Sequence, residues 1–310
     1  MVSPIKTVAI VGSGAIGTYY GARLALHGLD VRFLMRSDLA AVQKRGSIIL
    51  HERTGDLAVS PVKAFGSSEE IGVVDVVLVT LKTTANADLA RLLPPLVGPA
   101  TAVVTLQNGL GNEDFLATLV RPEQILGGLC FIAVVRSGPG ELKSYHTPGY
   151  ITLGQFKGPG ASERAQAIAQ VISASGVKCQ VVDNLLEARW RKLVWNIPFN
   201  GLSIAGGGIA TDRILGDPVM AAEIRALMDE VVLAAAAQGF VIPESFVQGQ
   251  IDVTPPMGAY QPSSLIDFLA GREVEIEAIW GEPLRRARAL GVPTPRLSLL
   301  YSVLRQTVRR

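Results

Sequence analysis

A lysine and two asparagines share one face of an otherwise apolar stretch of the sequence. The segment WRKLVWNIPFNGL begins at Trp190 and places Lys192, Asn196 and Asn200 four residues apart. Side chains at that spacing lie on the same face of a helix. If the face lines a cleft, the ammonium can protonate a carbonyl oxygen, and the amides can bind carboxylate and hydroxyl oxygens. The alternative is a polar stripe in solvent, although the flanking aromatic residues argue against complete exposure of the helix.

The segment VAIVGSGAIG has the spacing of a dinucleotide-binding loop. Its three glycines form the pattern G-x-G-x-x-G between a predicted strand and a predicted helix. The first glycine permits a tight turn, the second lets the backbone approach a pyrophosphate, and the third lets the helix pack on the strand. The helix N-terminus offers amide donors and a positive dipole end to the phosphates. The residues predicted to bind the cofactor here are Gly12, Ser13, Gly14, Ala15, Ile16 and Gly17.

The end of the next predicted strand bears on which dinucleotide is bound. Enzymes that use NAD usually carry an acidic side chain there, which binds the ribose hydroxyls. This chain has Arg36 instead, with Arg32 earlier on the same strand. A guanidinium suits a 2′-phosphate better than a diol, so the sequence favours NADPH. Two alternatives stay open: Asp38 binds a ribose instead, or Arg36 is only a solvated loop residue.

Two further polar groups follow apolar strands. Lys82 comes after the apolar run that ends at Val79, and Gln107, Asn108 and Gly109 come after another. Ligands bind at the carboxyl ends of strands in open α/β sheets, so both groups are candidates for contact with nicotinamide or substrate. Turn formation is the alternative for both. Later in the chain, Ser264 precedes an apolar run, where a serine can equally be a helix N-cap.

The elements that must position these residues fall into two groups. Apolar strand-like runs alternate with helical patterns in the first half of the chain, which predicts a parallel sheet with helices on both faces. Strand-like pieces joined by Gly-Pro turns between residues 130 and 180 predict an antiparallel edge. From Asn184 onward only helical patterns occur, including residues 219–237 and 264–290. We predict an α/β fold, with a Rossmann-type dinucleotide-binding domain at residues 1–183 and an all-α domain at 184–310.

Composition excludes several classes of function. The 29 basic and 27 acidic residues give a net charge of +2 and no extended basic face, so nucleic acid is not expected as a partner. Cys130 and Cys179 form no disulfide framework and no zinc-ligand spacing. His27, His51 and His146 have no metal-ligand partner at helical spacing, so no metal is expected and a histidine-dependent dehydrogenase is disfavoured.

One uncharged stretch is about long enough to cross a bilayer. Residues 193–211 carry no charge, but Pro198, two asparagines and three consecutive glycines would break a helix in hydrocarbon. We interpret the stretch as a buried inner surface and expect no membrane partner. The first residues lack the pattern of a signal peptide, which argues for a cytoplasmic protein. Apolar helices near the carboxyl terminus make a homodimer a reasonable expectation.

These motifs together resemble the ketopantoate reductase family. The resemblance covers essentially the whole chain. Its most specific parts are the segments around Lys192 and from Ser264 to Glu275. The motifs occur in the family's order, which is GSGAIG, Arg36, TLK at 80–82, QNG at 107–109, WRKLVWNIPFN, PSSLIDFLAGREVEIEAI and GVPTP.

The resemblance implies an NADPH domain followed by a helical, 6-phosphogluconate-dehydrogenase-like domain, with a substrate cleft between them. It further implies that hydride passes from NADPH to C2 of ketopantoate, a 2-oxo acid, to give pantoate for the pantothenate pathway. Lys192 matches the family's general acid, and Glu275 a residue that engages the substrate hydroxyl or holds the lysine. Asn108 matches a residue beside the nicotinamide and the substrate. The remaining matches are to substrate-binding groups, Asn196, Asn200 and, for the carboxylate, Ser264.

The sequence departs from the family at several pocket positions. An aromatic residue and a glutamine are frequent after Lys82, whereas this chain has Thr83, Thr84, Ala85 and Asn86. Ala210 cannot replace a polar contact common in relatives, and Gln261 stands where an asparagine is frequent. The altered pocket leaves open the reduction of another small 2-oxo acid on the same scaffold. The fold alone would also permit a non-catalytic dinucleotide-binding sensor. The polar set around Lys192 speaks against the sensor.

Overall fold

The computed structural model describes residues 4–145 and 149–308, which form two compact units. The first unit contains the described residues up to Gln107 and the segment Asn112–Leu185. The second contains Asn108–Gly111 and the described residues from Leu186 onward. His146 lies outside the described residues. The predicted architecture, a mixed α/β domain with a parallel sheet followed by a helical domain, is confirmed.

The first unit is built on two sheets. Its strands are β1 Thr7–Val11, β2 Asp30–Leu34, β3 Ile48–Glu52, β4 Gly55–Val59, β5 Lys63–Phe65, β6 Val76–Val79, β7 Ala102–Thr105, β8 Ile125–Phe131, β9 Val134–Gly138, β10 Glu141–Ser144, β11 Tyr150–Gln155 and β12 Lys178–Val181. The large sheet has the order β12-β11-β8-β7-β6-β1-β2-β5. Every pair in it is parallel except β8 with β11.

The order of the large sheet places a topological switch point at β1. The chain runs from β1 through β2 to β5 on one side, and then returns to β6 and β7 on the other. Val11 pairs with Leu34 on one side and with Val79 on the other, so the three strands end at one edge. Ligands bind at such a switch point in open α/β sheets. Both faces are covered, which is why β6 and β7 are completely buried apolar runs.

The antiparallel edge is more elaborate than the sequence predicts. The apolar run at residues 125–135 is not one strand, because β8 joins the large sheet and β9 joins a second one. The second sheet has the order β4-β3-β10-β9, with β9 and β10 forming an antiparallel hairpin. The helices of the first unit are α1 Ala15–Leu26, α2 Leu39–Arg45, α3 Ser68–Ile71, α4 Leu89–Leu92, α5 Asn112–Leu116 and α6 Glu163–Ala174, with 3-10 turns at Thr83–Asp88, Pro94–Leu96 and Pro122–Gln124.

The second unit contains helices and connecting turns but no strand among its described residues. Its helices are α7 Leu185–Ala205 (Leu185 itself being the last residue of the first unit), α8 Thr211–Leu215, α9 Pro218–Ala236, α10 Glu244–Asp252, α11 Ser263–Leu269, α12 Glu282–Ala289 and α13 Pro295–Thr307, with a 3-10 turn at Pro255–Met257 and a π-helical turn at Glu277–Gly281. Trp190, Phe199 and Trp280 are fully buried in its core. No helix in the described part of the chain is long and apolar enough to span a membrane.

The helical pattern predicted for residues 264–290 is wrong as a single element. The α11 helix ends at Leu269, and Gly271 adopts a positive φ of 64° just after it. Residues 272–275 are not helical, and the chain resumes through the π-helical turn before α12. Glycine is the residue that most readily takes this conformation after a helix. The break separates α11 from the π-helical turn and leaves Glu275 in the non-helical segment between them.

Candidate active site

The glycine-rich loop has the geometry that a dinucleotide cradle needs. Gly12 has a φ of 103°, and a Cβ at that residue would lie 2.4 Å from the backbone nitrogen of Leu81. A Cβ at Gly17 would lie 2.2 Å from Thr80 Oγ1, so α1 packs too closely for a side chain. A Cβ at Gly14, in contrast, would meet no atom within 4 Å. The open space therefore lies where backbone can approach a pyrophosphate, at the N-terminus of α1.

Neighbouring strand ends hold the loop in place. Thr80, just after β6, donates from Oγ1 to the carbonyl of Gly12 at 2.6 Å. Ser13 donates from Oγ to the carbonyl of Leu34 at 2.9 Å, which joins the loop to the end of β2. The amides of Ala15 and Ile16 lie in the first turn of α1, where no carbonyl of the helix can accept from them. The hydroxyl of Ser13 thus supports the loop, and the backbone supplies the donors for an anion.

A buried glutamine connects the ends of β6 and β7. Gln107 donates from Nε2 to the carbonyl of Leu81 at 2.9 Å and to Asn86 Oδ1 at 2.7 Å. Its Oε1 accepts from Thr105 Oγ1 at 2.9 Å. Asn86 belongs to the stretch that departs from the family pattern, and in this chain its side chain accepts a hydrogen bond from Gln107. Lys82 is half-buried at the start of the 3-10 turn Thr83–Asp88.

The segment after β2 carries the two side chains that bear on cofactor choice. Arg36 is exposed, and its guanidinium makes no hydrogen bond or ion pair with another described residue. Asp38 is only 7% exposed. Its carboxylate accepts from Ser37 Oγ, from the amide of Gly140 and from the guanidinium of Arg136. Both carboxylate oxygens of Asp38 therefore accept hydrogen bonds from protein groups, whereas the guanidinium of Arg36 is accessible to a ligand.

The predicted general acid has a defined polar partner in the helical unit. Lys192, half-buried on α7, donates from Nζ to Asn108 Oδ1 at 3.0 Å. Asn108 belongs to the same unit, although in sequence it follows the strand β7 of the first unit. A hydrogen bond with a charged donor is stronger than a neutral one, so this contact helps to orient the ammonium. The sequence predicted both residues, and the structure brings them together.

The loop that carries Asn108 is fixed by three contacts within the helical unit. Arg189, which is 3% exposed, donates from Nη1 to the carbonyl of Gly109 at 3.2 Å. Leu110 is buried in the helical core, and its amide donates to the carbonyl of Ala278 at 2.9 Å. Ala278 lies in the π-helical turn, where the altered bonding pattern changes which carbonyls are available. Sequence reasoning missed Arg189, whose only signal was its position one turn before the polar face of α7.

The three residues predicted to bind substrate on α7 and α11 differ in whether their side chains have a partner in the protein. Asn200 is 1% exposed, and its Oδ1 accepts from the amide of Ser264 at 2.9 Å, so it supports the first turn of α11. Ser264 is itself buried, and its hydroxyl has no partner among the described residues. Asn196 is half-buried, and its amide likewise has no partner in the described part of the chain. Asn200 is thus a supporting residue in this structure, and Asn196 and Ser264 keep polar atoms for a ligand.

Glu275 lies two residues before the π-helical turn. It is half-buried, and its carbonyl accepts from the amide of Ile279 at 3.2 Å as the turn begins. Among the supporting residues, the sequence did not indicate Arg189, and it indicated Gln107 only as a candidate for contact with a ligand. Both donate to a backbone carbonyl of a distant segment, and such contacts have no local sequence pattern. No cluster of metal-ligating side chains occurs among residues 4–145 and 149–308.

Comparison with known proteins agrees with this architecture over nearly the whole chain. A family model described as Ketopantoate reductase PanE/ApbA matches residues 8–158, and its C-terminal counterpart matches residues 184–308. A 2-dehydropantoate 2-reductase from a Nostoc species is 39% identical over 305 residues, which cover 97% of this chain and 94% of the relative.

Solved structures give the same result. A 2-dehydropantoate 2-reductase from Geobacter metallireducens has a TM-score of 0.93 at 42% identity, covering 97% of this chain and 99% of that one. A 2-dehydropantoate 2-reductase from Methylococcus capsulatus has a TM-score of 0.88 at 35% identity, covering 97% and 96%. The resemblance inferred from the sequence is confirmed, and the chain belongs to the ketopantoate reductase family, a family of dinucleotide-binding oxidoreductases.

Proposed function

We propose that this protein reduces ketopantoate to pantoate with NADPH, and that Lys192 is the general acid. The observation that carries the proposal is the 3.0 Å hydrogen bond between Lys192 Nζ and Asn108 Oδ1. It holds an ammonium on α7, the helix that also carries Asn196 and Asn200. The likeness to proteins named 2-dehydropantoate 2-reductase supports this choice of substrate.

The first unit offers a site that fits a phosphorylated dinucleotide. The space beside Gly14 and the first-turn amides of α1 suit a pyrophosphate. Arg36 is open to bind the 2′-phosphate, because its guanidinium has no partner among the described residues. We assign Lys82 and Asn108 to the nicotinamide end. When bound, NADPH supplies the hydride that becomes attached to C2 of the substrate.

The residues of the helical unit would bind the substrate and donate the proton. Lys192 donates a proton from Nζ to the C2 oxygen as hydride arrives at C2, so that the ketone becomes an alcohol and the lysine is left neutral until solvent reprotonates it. The hydroxyl of Ser264 binds the substrate carboxylate, and Asn196 binds a second oxygen. Asn200 holds the amide of Ser264 and so keeps that serine in place. Glu275 engages the substrate hydroxyl or orients the lysine.

A change of one charge on α7 tests the general acid. Lys192→Ala should lower turnover with ketopantoate by at least about a hundredfold, as expected for the loss of a general acid. Arg191→Ala is the matched control, because it removes a neighbouring cation whose partner is Glu187. It should leave turnover within about threefold of the wild type. Equal activity of Lys192→Ala and Arg191→Ala would remove the assignment.

A substrate panel separates the proposed reaction from its nearest rival. One methylene in a pocket changes selectivity by only about 1 to 3 kcal/mol, so other small 2-oxo acids must be compared directly. We expect the highest kcat/KM with ketopantoate. A higher value with another 2-oxo acid would keep the chemistry and change the substrate. No NADPH oxidation with any of them would favour a dinucleotide-binding sensor.

The proposed cofactor has its own test. Arg36→Ala should weaken the binding of NADPH by about tenfold or more and leave that of NADH nearly unchanged, because only NADPH carries the 2′-phosphate. Equal losses for both dinucleotides would show that Arg36 does not bind that phosphate.

Two structural proposals accompany the reaction. We place the domain boundary at residues 183 and 184, and the second family model begins at residue 184. We also propose a homodimer, because Val219 and Leu233 on α9 and Leu299 on α13 are exposed apolar side chains. Sedimentation at several protein concentrations measures the mass in solution.

A further inference from the structure

The carboxylate of Asp38 is a buried negative charge at the place where the cofactor's adenosine ribose is expected. An acidic side chain after the second strand is the feature by which many enzymes bind the ribose hydroxyls of NAD. In this chain Asp38 lies two residues beyond Arg36 and is 7% exposed. The chain thus carries, side by side, one group suited to a phosphate and one suited to a diol.

Three donors from the first unit engage that carboxylate. Oδ1 accepts from Ser37 Oγ and from Arg136 Nη2, and Oδ2 accepts from the amide of Gly140. Arg136 supplies the only one of these donors that carries a full charge. Its side chain extends from β9, far from Asp38 in the sequence. The pairing of Arg136 with Asp38 is therefore created by the fold and has no local pattern.

The hairpin of β9 and β10 is firmly placed against α2. Arg45 donates from Nη1 to Glu141 Oε1 and from Nη2 to the carbonyl of Pro139, both at 2.8 Å. A Cβ at Gly140 would lie 2.4 Å from Val42 Cγ2, so the hairpin turn packs directly on the helix. Arg136 is thus presented to Asp38 by a rigid support.

We propose that Arg136 is a specificity-determining residue that acts through Asp38 and favours NADPH over NADH. This inference rests on the proposed use of NADPH. By neutralising Asp38 and occupying its oxygen, Arg136 prevents the carboxylate from repelling a 2′-phosphate held by Arg36. The same contact prevents the carboxylate from accepting a hydrogen bond from the 2′-hydroxyl of NADH. Without Arg136, the carboxylate would act in both ways and the preference would fall.

Binding measurements with both dinucleotides test the proposal. Kd values for NADPH and NADH are obtained by titration of intrinsic fluorescence or by calorimetry. The proteins are the wild type, Arg136→Ala, Asp38→Asn, the double variant and Arg45→Ala. Arg45→Ala is the matched control, because it removes an arginine that anchors the same hairpin but does not contact Asp38. Melting temperatures are recorded for each protein, and Arg136→Gln replaces Arg136→Ala if the latter does not fold.

The expected pattern separates a charge effect from a structural one. Arg136→Ala should lower the ratio of NADPH to NADH affinity by about tenfold, since an uncompensated carboxylate near a phosphate is repulsive. Arg45→Ala should leave the ratio within about threefold of the wild type, even if it melts earlier. Adding Asp38→Asn to Arg136→Ala should restore most of the lost preference, because the repelling charge is then absent.

Three outcomes would overturn the inference. A ratio unchanged in Arg136→Ala would show that Arg136 has no part in specificity. A loss that Asp38→Asn does not repair would show that Arg136 acts on the dinucleotide directly or through the fold. An equal loss in Arg45→Ala would assign the effect to hairpin stability. A wild type without preference for NADPH, or an Arg36→Ala variant equally weakened toward both dinucleotides, would instead overturn the proposed cofactor itself.

Discussion

Gly109 lies where the loop carrying Asn108 meets the π-helical turn, and a single methyl group there should disturb the general acid. Its φ is 83°, and a Cβ would lie 2.2 Å from the carbonyl oxygen of Ala278. That oxygen is backbone of a buried turn and cannot move as a flexible side chain can. In Gly109→Ala the loop must therefore shift away from Ala278, and Asn108 must shift with it.

The expected cost can be assembled from the contacts of the loop. A left-handed conformation costs alanine about 1 to 2 kcal/mol relative to glycine. Moving the loop also weakens the hydrogen bonds from Leu110 to Ala278 and from Arg189 to Gly109, each worth about 1 kcal/mol. Loss of the acceptor at Asn108 removes a hydrogen bond to a charged group, about 1.5 to 3 kcal/mol, and if the transition state bears this loss in full, turnover falls by roughly 10- to 160-fold.

Gly111→Ala is a control for the backbone term. Gly111 has a nearly equal φ of 86°, but a Cβ there would approach only the flexible side chain of Glu282, at 3.3 Å. Gly111→Ala should thus show the conformational cost without the displacement. The assay is kcat with NADPH and ketopantoate, together with the melting temperature of each variant. We expect Gly109→Ala to melt several degrees below Gly111→Ala and to turn over at least about tenfold more slowly.

One result of comparing Gly109→Ala with Gly111→Ala would refute this account of the loop. If Gly109→Ala matches Gly111→Ala in both turnover and melting temperature, the loop does not depend on Ala278, and Asn108 is not held in the manner described.

Two other groups give predictions about pH and reactivity. Burial raises the pKa of Asp75, but hydrogen bonds from Lys6 and Thr7 outweigh it and leave that pKa below its usual value. Asp75 then stabilises the fold above the unfolded pKa of about 3.9, and this contribution is lost as pH falls through the lower folded value. Asp75→Asn should cost roughly 1 to 3 kcal/mol near neutral pH, and the gap in unfolding free energy from the wild type should close below about pH 4; a constant gap from pH 7 to pH 3 would contradict this account. Burial, with a smaller contribution from Cys130, raises the pKa of the Cys179 thiol to about 12. In a Cys130→Ser variant, iodoacetamide at pH 8 should alkylate Cys179 at least about a hundredfold more slowly than a free thiol, since the thiolate is the reactive form; mass spectrometry measures the rate, and rapid labelling of the folded protein would refute the prediction.

The parts of the molecule that the sequence predicts are those with local patterns. Strand, glycine spacing and helix occur within residues 7–26, so the cradle at Gly12, Gly14 and Gly17 was accessible from the sequence. The four-residue spacing of Lys192, Asn196 and Asn200 likewise predicts a shared helix face. Sequence also predicted that Asn108 lies after a strand, at the carboxyl edge of the sheet.

The parts that escaped prediction depend on pairings between distant segments. Nothing near Asn200 indicates that its oxygen is used by the amide of Ser264, and nothing near Asp38 indicates Arg136. The second sheet pairs β3 with β10 across a long separation in sequence, a pairing that periodicity cannot reveal. The π-helical turn escaped prediction for a different reason: its residues show the same periodicity as an ordinary α-helix.

Asn108–Gly111 belongs to the helical unit although its neighbours in sequence belong to the other one. The ribosome therefore makes these four residues long before the helices that receive them. Leu110 cannot be buried in the helical core until α7 and the π-helical turn have been synthesised, so this core is completed only late in synthesis. A fragment that starts at Leu186 would lack both this leucine and the acceptor of Lys192, and an excised helical half should be neither fully packed nor competent in proton transfer.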